Sequence, residues 1–306
     1  MDPALLAVDW GTTALRGALL AADGSVLAEH AAPRGLLSIE PGGWAAAFEA
    51  EFGAWRRAHP TIVSLLAGMV GSRQGWAEAS YCPCPAGLDD LADGLLWLQP
   101  GRLAIVPGAR VENDGRPDVM RGEETQVFGA LEHLGLGSAI LVLPGTHSKW
   151  VRVADGRIVA LATHMTGECY ALLRRQSILA RTLPPDDDTW VPEAFDRGVA
   201  QAQQPGGLLH HLFSVRTLAL FERQGPAEAA CQLSGLLIGE ELRAAAPAAG
   251  SAVVVVGGAA LAMRYQRALA GRGVAAQIVG AEASWLGLAA LARRLQHRAD
   301  PGRRAA

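Results

Sequence analysis

The sequence predicts an α/β protein organised as two domains of ordinary size or as one large α/β unit. Its 306 residues are enough for two compact domains. Short apolar runs typical of buried strands alternate with longer segments whose apolar residues recur at helical spacing. One pattern of strand, glycine turn, strand, Asp-Gly turn and strand occurs twice, once near the start of each half.

The composition argues against several classes of protein. The chain has 27 Lys and Arg residues against 30 Asp and Glu, a net charge of −3, which provides no basic surface for nucleic acid. No stretch approaches the roughly 18 uninterrupted apolar residues of a membrane span. The first apolar run ends at Asp9, too early for a signal peptide. The four cysteines read as reduced thiols, so we expect a cytoplasmic protein with neither nucleic acid nor membrane as a partner.

The first half is predicted to start with a three-stranded meander and to continue as alternating helices and strands. Phe48, Phe52 and Trp55 recur at i, i+4 and i+7, which predicts an amphipathic helix. Acids precede another apolar stripe near residue 123 and suit the N-terminus of a helix. The predicted elements are strands at 5–8, 15–21, 25–30, 62–66 and 103–106, helices at 44–59 and 88–98, a polar loop at 112–118 and a helix from residue 123.

The second half is predicted to repeat the meander and then to become mainly helical. A run of four valines reads as a buried central strand, and the two glycines that follow it lead into a helix. The predicted elements are strands at 140–143, 253–256 and 276–279, a second meander, and helices at 168–181, 194–203, 206–223, 227–246, 259–269 and 284–296.

The two meanders match in detail. Gly11-Thr12 and Gly145-Thr146 each follow a strand and precede another, which ends in an Asp-Gly turn. From the glycine to that turn is twelve residues in the first copy and ten in the second. A difference of two keeps the in–out alternation of a strand, so both copies can bury the same face. The repeat therefore predicts two related halves.

Each glycine turn has the composition of a phosphate-binding site. Backbone N–H groups and hydroxyls of a Gly-Thr turn converge at one point, which suits phosphate oxygens, and two such turns would hold a polyphosphate. Asp9 ends the first strand, where a carboxylate can hold Mg²⁺ through water because Mg²⁺ loses its waters reluctantly. Gly257 and Gly258, after the valine strand, allow a flat base or a ribose to approach the backbone closely.

These segments resemble motifs of the actin, hexokinase and Hsp70-like ATPase superfamily. "DWGTTALRGALL" is similar to its first phosphate motif, "LPGTHSKWVRV" to its second and "VVVVGGAALAMRYQRAL" to its adenosine motif. "MRGEETQVFGAL" and "GAEASWLGLAAL" resemble its two connecting helices, in the same order along the chain. Within it, "VDWGTTALR", "AGMVGSRQGW", "MRGEETQ", "PGTHSKWV" and "MTGE" closely resemble the 2-dehydro-3-deoxygalactonokinase family, from about residue 8 to residue 292.

The resemblance implies a two-lobed actin-like ATPase (ribonuclease H-like) fold with the active site in the cleft between the lobes. The N-terminal lobe would comprise residues 1–130 and a C-terminal helix at about 284–297, the C-terminal lobe 131–283, and a frayed tail 298–306. The implied activity is transfer of the γ-phosphoryl group of ATP, with Mg²⁺, to the 6-hydroxyl of 2-dehydro-3-deoxy-D-galactonate, also called 2-keto-3-deoxygalactonate. That reaction is a step in galactonate breakdown.

The resemblance also implies roles for residues in the motifs. Asp9 would organise Mg²⁺ beside the phosphates. The expected contacts of ATP are Gly11, Thr12 and Thr13 with the β- and γ-phosphates, Gly145, Thr146 and His147 with the phosphates from the other lobe, Lys149 with a phosphate, and Gly257, Gly258 and Ala259 with the adenosine.

The catalytic base is expected at the start of the helix after Gly122. Related sugar kinases carry a Gly-Asp pair there, whereas this sequence has Glu123 and Glu124 after the glycine. One carboxylate could accept the proton of the attacking hydroxyl, and the other could stabilise the N-terminus of the helix. The sequence leaves open which glutamate has which role.

A sugar acid carries a carboxylate, which a cationic side chain should bind. Arginine suits bidentate carboxylate binding, and Arg73, Arg16 and Arg121 are the candidates. Arg73 is favoured because it lies in a glycine-rich loop after a strand, where ligands commonly bind. Each arginine could equally be a surface charge or form a structural pair. The turn-to-helix segment Thr166, Gly167 and Glu168 is a further candidate for binding the substrate, and Glu168 could instead only occupy the first turn of a helix.

Two other functions fit the same motifs. A kinase of this fold could act on another sugar or sugar acid, because a few hydrogen bonds decide between epimers. An actin-like or chaperone-like ATPase acting on a protein partner would be expected to carry an added domain or filament-contact insertions, and neither is visible in the sequence. The sequence leaves homo-oligomerisation open.

Overall fold

The structure is a computed structural model that describes residues 2–186, 189–248 and 250–299. Residues 300–306 of the predicted tail lie outside the described residues, whereas residues 298 and 299 belong to the last helix. There Arg298 forms an ion pair with Asp89 at 3.2 Å. Within the described ranges, no helix is both long and apolar enough to cross a bilayer.

The chain forms two compact units. The first unit contains the described residues up to Ala139, Val151–Leu161 and the described residues from Val279 onward, and the second contains Ile140–Trp150 and Ala162–Ile278. The lobe boundaries expected from the sequence lie after residues 130 and 283 instead. That division into lobes stays a prediction.

The first unit is built on a mixed sheet. Its elements, in chain order up to residue 134, are β1 (Leu5–Trp10), β2 (Leu15–Leu20), β3 (Val26–Ala32), α1 (Trp44–Ala58), β4 (Val63–Gly68), β5 (Tyr81–Pro83), α2 (Leu88–Asp93), β6 (Leu96–Gln99), β7 (Leu103–Ile105), β8 (Gly108–Asn113), β9 (Arg116–Met120) and α3 (Glu123–Leu134). The main sheet has the order β3-β2-β1-β4-β7-β6, and a small sheet has the order β5-β8-β9. β1 pairs antiparallel with β2 and parallel with β4. This places the end of β1 in the middle of the main sheet.

The helix predicted from the aromatic spacing forms and covers the main sheet. Phe48 and Phe52 of α1 are buried in the same core cluster as Trp10 of β1. The rings of Trp10 and Trp44 meet edge to face with centroids 5.0 Å apart. These buried aromatic contacts fix the end of β1 against α1.

Two predictions for the first unit are wrong. The helix expected over 88–98 ends at Asp93, because Gly94 follows it and Leu96–Gln99 instead pairs antiparallel with β7. The loop expected over 112–118 is a hairpin of β8 and β9, whose turn places Asp114 and Gly115 at φ 49° and 76°. Two left-handed residues are what a tight hairpin turn requires, and an Asp-Gly pair adopts them readily.

The second unit contains most of a five-stranded sheet and a helical layer. The remaining elements, in chain order, are β10 (Ala139–Leu143), β11 (Ser148–Ala154), β12 (Arg157–His164), α4 (Thr166–Gln176), α5 (Pro192–Ala202), α6 (Gly207–Leu220), α7 (Pro226–Ala245), β13 (Val253–Val256), α8 (Ala259–Ala270) and β14 (Ala276–Val279), followed by α9 (Ala283–Ala299), which belongs to the first unit. The sheet order is β12-β11-β10-β13-β14, with β10 and β13 parallel. The helix expected over 168–181 ends at Gln176, and a short 3₁₀ turn follows because the hydroxyl of Ser177 accepts the N–H of Leu179.

Glycines let two pairs of helices approach closely. A Cβ at Gly235 of α7 would lie 2.1 Å from the carbonyl oxygen of Phe195 in α5. A Cβ at Gly287 of α9 would lie 1.8 Å from the carbonyl oxygen of Thr125 in α3. Real Cβ atoms cannot occupy such positions, so both contacts require glycine.

The predicted repeat is confirmed. β1, β2 and β3 form one meander, and β10, β11 and β12 form the other. Gly24 has φ 87° in the first Asp-Gly turn, and Asp155 and Gly156 have φ 49° and 70° in the second. In each copy a glycine turn joins the first two strands of the meander.

Candidate active site

The first predicted phosphate turn joins β1 to β2. The N–H of Gly11 donates to the carbonyl of Ala14 at 2.9 Å, which closes the turn. Gly35 packs against it so closely that a Cβ there would lie 2.3 Å from the carbonyl oxygen of Thr12. Thr12 and Thr13 are exposed. The turn therefore presents two hydroxyls to a ligand, and the packing of Gly35 supports the backbone of the turn on its other side.

Asp9 lies one residue before the end of β1, with 17 % of its side chain exposed. Its Oδ2 accepts hydrogen bonds from Arg16 Nη2 at 2.5 Å and from the hydroxyl of Ser284 at 3.2 Å. The Arg16 guanidinium also lies 5.6 Å from the ring centroid of Trp285. The structure thus joins a predicted metal residue and a predicted substrate residue in one ion pair.

The donor set around Asp9 fits Mg²⁺ bound through water. Mg²⁺ is usually held by one or two carboxylates together with substrate phosphates and several waters. Asp9 provides one partly exposed carboxylate, close in sequence to the first phosphate turn. No cluster of three or more His, Cys, Asp or Glu side chains that could hold a metal directly occurs among the described residues.

The two glutamates at the start of α3 have different surroundings. Glu124 is fully buried, and both of its carboxyl oxygens accept the N–H of Gly122, at 2.9 and 2.8 Å. Burial, and then the neighbouring Glu123 carboxylate, raise the pKa of Glu124 to about 8, although two backbone N–H groups and Arg121 act in the opposite direction. Glu123 is partly exposed and accepts the N–H of Arg121 at 3.0 Å.

Arg121 is buried beneath this helix start. Its Nη2 donates to the carbonyl of Ala79 at 2.8 Å, and its guanidinium stacks over Tyr81 at 4.2 Å from the ring centroid. Its Nε and Nη1 are buried and have no hydrogen-bond partner in the described part of the chain. Gly122 has φ 103°, and a Cβ there would lie 3.0 Å from the Cα of Gly68. This close approach explains why the turn before α3 carries a glycine.

Arg73 has different surroundings from the other two candidate arginines. Its side chain is 86 % exposed, and its Nε lies 3.4 Å from Glu78 Oε1. A contact of that length between exposed groups is worth little. The guanidinium of Arg73 is therefore available to a ligand.

The second predicted phosphate turn joins β10 to β11 and packs against the start of α4. A Cβ at Gly167 would lie 2.3 Å from the carbonyl oxygen of Gly145. The N–H of Glu168 donates to the carbonyl of Thr146 at 3.0 Å, and Glu168 Oε2 lies 2.5 Å from His147 Nε2. The structure thus joins residues predicted to bind phosphate with residues predicted to bind the sugar acid. Lys149, which follows on β11, is buried and donates to the carbonyl of His147 at 2.9 Å.

A buried carboxylate that the sequence reading missed lies behind this turn. Glu241 of α7 accepts hydrogen bonds from Ser148, Trp150, Thr166 and Tyr265. Burial, and then the Glu241 carboxylate, raise the pKa of the Tyr265 hydroxyl well above its usual range, so the hydroxyl remains a donor. One signal was present: Glu241 follows Leu237 and Ile238 by four and three residues, on the apolar face of the helix.

The predicted adenosine segment begins α8. Gly257 has φ 153°, and a Cβ there would lie 3.8 Å from the carbonyl oxygen of Pro144, next to the second phosphate turn. A Cβ at Gly258 would meet no atom of the described residues within 4 Å, and Gly258 and Ala259 are exposed. Open space thus lies in front of the N-terminus of α8, where backbone N–H groups favour an anion.

A cavity of about 330 Å³ connects the turn with the two helices behind it. Gly145, Thr146 and Gly167 line one side. Leu237 of α7 and Leu261 of α8 contribute to an apolar wall on the other. A mainly apolar pocket with a few polar groups is typical of a small-molecule site.

The architecture and these residues first define a class of protein. The chain contains two meanders, each with a partly exposed glycine turn, in a mixed α/β architecture. A solved structure of the activator of 2-hydroxyisocaproyl-CoA dehydratase from Clostridium difficile, with bound ADPNP, has a TM-score of 0.53 over 99 % of each chain at 12 % identity, which is a likeness of fold. The protein has the mixed α/β fold of actin-like ATPases and sugar kinases, as the sequence predicted.

The sequence then identifies the family. The 2-keto-3-deoxy-galactonokinase family pattern matches residues 9–291, and the chain belongs to that family. It is 34 % identical to the 2-dehydro-3-deoxygalactonokinase of Escherichia coli over 89 % of this chain and 91 % of the relative. It is 39 % identical to DgoK1 of Rhizobium meliloti, provisionally named for the same activity, over 94 % of this chain and 96 % of that one. A crystal structure from Sinorhizobium meliloti, provisionally described in the same way, has a TM-score of 0.85 at 37 % identity and covers 95 % of this chain and 99 % of its own.

Proposed function

We propose that this protein is a sugar-acid kinase that transfers the γ-phosphoryl group of ATP to the 6-hydroxyl of 2-dehydro-3-deoxy-D-galactonate. The bond from the substrate O6 to the γ-phosphorus forms and the bond to the β,γ-bridging oxygen breaks, which releases ADP and 2-dehydro-3-deoxy-6-phosphogalactonate. The observation that carries the proposal is the family match over residues 9–291, which spans both Gly-Thr turns and the acidic start of α3.

Phosphoryl transfer depends mainly on positioning and on neutralising charge. Gly11, Thr12 and Thr13 bind the β- and γ-phosphates in this proposal, and the turn from Gly145 to His147 binds phosphates from the second unit, with Lys149 beneath it. Asp9 would hold Mg²⁺ through water, and the bound ion would supply positive charge beside the phosphates. Gly257, Gly258 and Ala259 border the adenosine at the start of α8, the helix whose Leu261 and Tyr265 line the 330 Å³ cavity.

The surroundings of the two glutamates favour Glu123 as the base. A general base must be deprotonated and must reach the hydroxyl. Glu124 has no exposed surface and a pKa of about 8, so it is largely protonated at neutral pH. Glu123 is partly exposed in the first turn of α3, so its carboxylate can reach a bound hydroxyl. Glu123 therefore accepts the proton of the 6-hydroxyl, and Glu124 holds the turn at Gly122.

Among the three candidate arginines, exposure favours Arg73 as the partner of the substrate carboxylate. Arg16 is paired with Asp9, and two guanidinium nitrogens of Arg121 are fully buried. Arg73 is 86 % exposed, so it can form the bidentate pair that a carboxylate accepts. Contacts of Thr166, Gly167 and Glu168 with the sugar acid stay a prediction, because their observed contacts are with the second phosphate turn and Glu241.

A coupled ADP-release assay tests the reaction. ADP release is expected to require 2-dehydro-3-deoxy-D-galactonate and Mg²⁺, and to stop when the metal is chelated. A panel of other sugars and 2-keto-3-deoxy sugar acids tests the specificity. Release with another acceptor alone would identify a kinase for that acceptor, and release without any acceptor would favour an ATPase acting on a protein partner.

The base assignment has its own test. Glu123→Gln is expected to lower kcat by about 10²–10⁴-fold, the usual contribution of general base catalysis. Glu124→Gln serves as the matched control, because it changes the neighbouring carboxyl, and it should retain most of the turnover. Full turnover by Glu123→Gln, or a greater loss in Glu124→Gln, would contradict the assignment.

The proposed substrates are metabolites of the cytoplasm, and we propose that the protein acts there. Fractionation of cells that express the chain would test this proposal.

A further inference from the structure

Glu241 is an unusual residue for the interior of the second unit. It lies in α7 with 2 % of its surface exposed. A carboxylate is costly to bury unless hydrogen bonds or an opposite charge compensate for the water it loses. No basic side chain forms an ion pair with Glu241 anywhere in the part of the chain that the structure describes.

Neutral donors compensate for that burial. Ser148 Oγ and Trp150 Nε1 each donate to Glu241 Oε1 at 2.7 Å. The Tyr265 hydroxyl donates to Oε2 at 2.7 Å, and the Thr166 hydroxyl donates to the same oxygen. A carboxylate has about four lone-pair positions, so this set satisfies it completely.

The donors come from three segments that meet around the second phosphate turn. Ser148 is the residue directly after His147, and Thr166 is the residue directly before Gly167, which packs on the turn. Tyr265 belongs to α8, the helix that begins at the predicted adenosine segment. Thr166 and Tyr265 also line the 330 Å³ cavity. Glu241 therefore connects β11, the start of α4 and α8 at one point.

The charge of Glu241 has the wrong sign to attract phosphate, so its contribution to the site has to be positional. The Thr166 hydroxyl gives its proton to Glu241, so toward a ligand it can only accept a hydrogen bond. The four bonds fix the distance from the phosphate turn to α8. A shift of about 1 Å in such a distance is enough to weaken a positioned site strongly.

We propose that Glu241 is a positioning residue that sets the second phosphate turn at the correct distance from α8 and thereby sets the affinity for the nucleotide. The inference rests on the proposed function only in taking an adenine nucleotide as the ligand. It does not depend on which sugar acid accepts the phosphoryl group.

The test measures ADP binding to the whole chain by isothermal titration calorimetry, without sugar acid. Glu241→Gln keeps the shape of the side chain but replaces one acceptor oxygen by a donor, so two of the four donors lose their partner. We expect about tenfold weaker ADP binding, equivalent to about 1.4 kcal/mol. Tyr265→Phe removes one donor and should weaken ADP binding in the same direction by a smaller factor.

Glu240→Gln is the matched control. Glu240 is the preceding residue of α7 and pairs with Arg243 on the surface, away from the four donors. The Glu240→Gln variant should bind ADP with the same Kd as the wild-type protein. A purely structural role for Glu241 would reduce the melting temperature and the folded fraction without changing the Kd of the molecules that remain folded.

Steady-state kinetics provide the second readout. In Glu241→Gln the KM for ATP should rise while the KM for the sugar acid stays unchanged. Unaltered ADP affinity in Glu241→Gln, or an equal rise in both KM values, would refute the positioning role of Glu241 and leave the proposed function standing. If Glu241→Gln does not fold, Tyr265→Phe decides, and ADP affinity equal to wild type would refute the proposal. Absence of ADP binding by the wild-type protein would refute the proposed function as well.

Discussion

The buried carboxyl of Glu124 should make the stability of the first unit depend on pH. The group has a pKa of about 8 in the folded chain against 4.5 as the ordinary value, because burial penalises its charged form. Between these two pH values the folded state therefore holds one more proton than the unfolded state. The free energy of unfolding consequently falls as the pH rises through this range.

The size of the effect follows from the two pKa values. One pKa unit corresponds to about 1.4 kcal/mol. A difference of about 3.5 units, from 4.5 to about 8, then corresponds to a loss on the order of 5 kcal/mol. The contribution of Glu124 is fully present below about pH 4.5, decreases between the two values and is constant above about pH 8.

Glu124→Gln removes the titration while keeping the shape of the side chain. The amide oxygen can still accept the N–H of Gly122, which the carboxyl oxygens accept at 2.8 and 2.9 Å. The assay is urea unfolding of both proteins at several pH values between about 5 and 9, followed by tryptophan fluorescence. Six of the eight tryptophans belong to the first unit, so the signal reports mainly on it.

The difference between the two proteins cancels the other titrating groups. The variant should gain about 1.4 kcal/mol over the wild type for each pH unit up to about pH 8, and the gap should then level off. Glu132→Gln, which changes an exposed carboxylate of the same helix that pairs with Arg293, is the control and should parallel the wild type. A gap between Glu124→Gln and wild type that does not change with pH would refute the reasoning.

Three further predictions follow from single positions. Arg73→Ala should raise the KM for the sugar acid by about tenfold or more, because a charge-assisted pair is lost, and an unchanged KM would exclude Arg73 as the partner of the carboxylate. Gly167→Ala should lower kcat/KM for ATP by up to about a hundredfold, because its Cβ would lie 2.3 Å from the carbonyl oxygen of Gly145 and displace the turn; steady-state kinetics equal to wild type would contradict this. Gly287→Ala should destabilise the first unit by about 2 kcal/mol in urea unfolding. Gly137→Ala should not, because its Cβ would meet no atom within 4 Å in the part of the chain that the structure describes. Equal effects of the two substitutions would mean that the close contact of α9 with α3 is unimportant for stability.

Much of the fold could be predicted because local patterns decide it. The aromatic period of α1 and the Asp-Gly turns of both meanders depend on neighbouring residues, and all of them form as predicted. The hairpin of β8 and β9 carries the same Asp-Gly signal at Asp114, but the polar residues around it are also typical of a loop. The strand at Leu96–Gln99 exists because it pairs with β7, a contact that no local pattern indicates.

The candidate site shows the same division between local and non-local information. The glycine turns and the acidic start of α3 follow strands in the sequence, so their positions could be read directly. The different burial of Glu123 and Glu124 depends on what packs over each side chain, and the sequence could not separate them. Glu241 could be recognised as a buried position from its helical spacing, but three of its four donors lie 75 or more residues away in the chain, and Tyr265 lies 24 residues away.

The contact of α9 with α3 has a consequence for the order in which the chain can fold during synthesis. The ribosome makes α9 last among the elements of the first unit, and the glycine contact at Gly287 lies within it. Most of the second unit, Ala162–Ile278, is one continuous stretch that has left the ribosome by then. Domains tend to fold as units during synthesis. Here the first unit is the first to be synthesised, but its folding can be completed only after the second unit has been synthesised. Until α9 arrives, the surface of α3 that receives it stays uncovered on the growing chain.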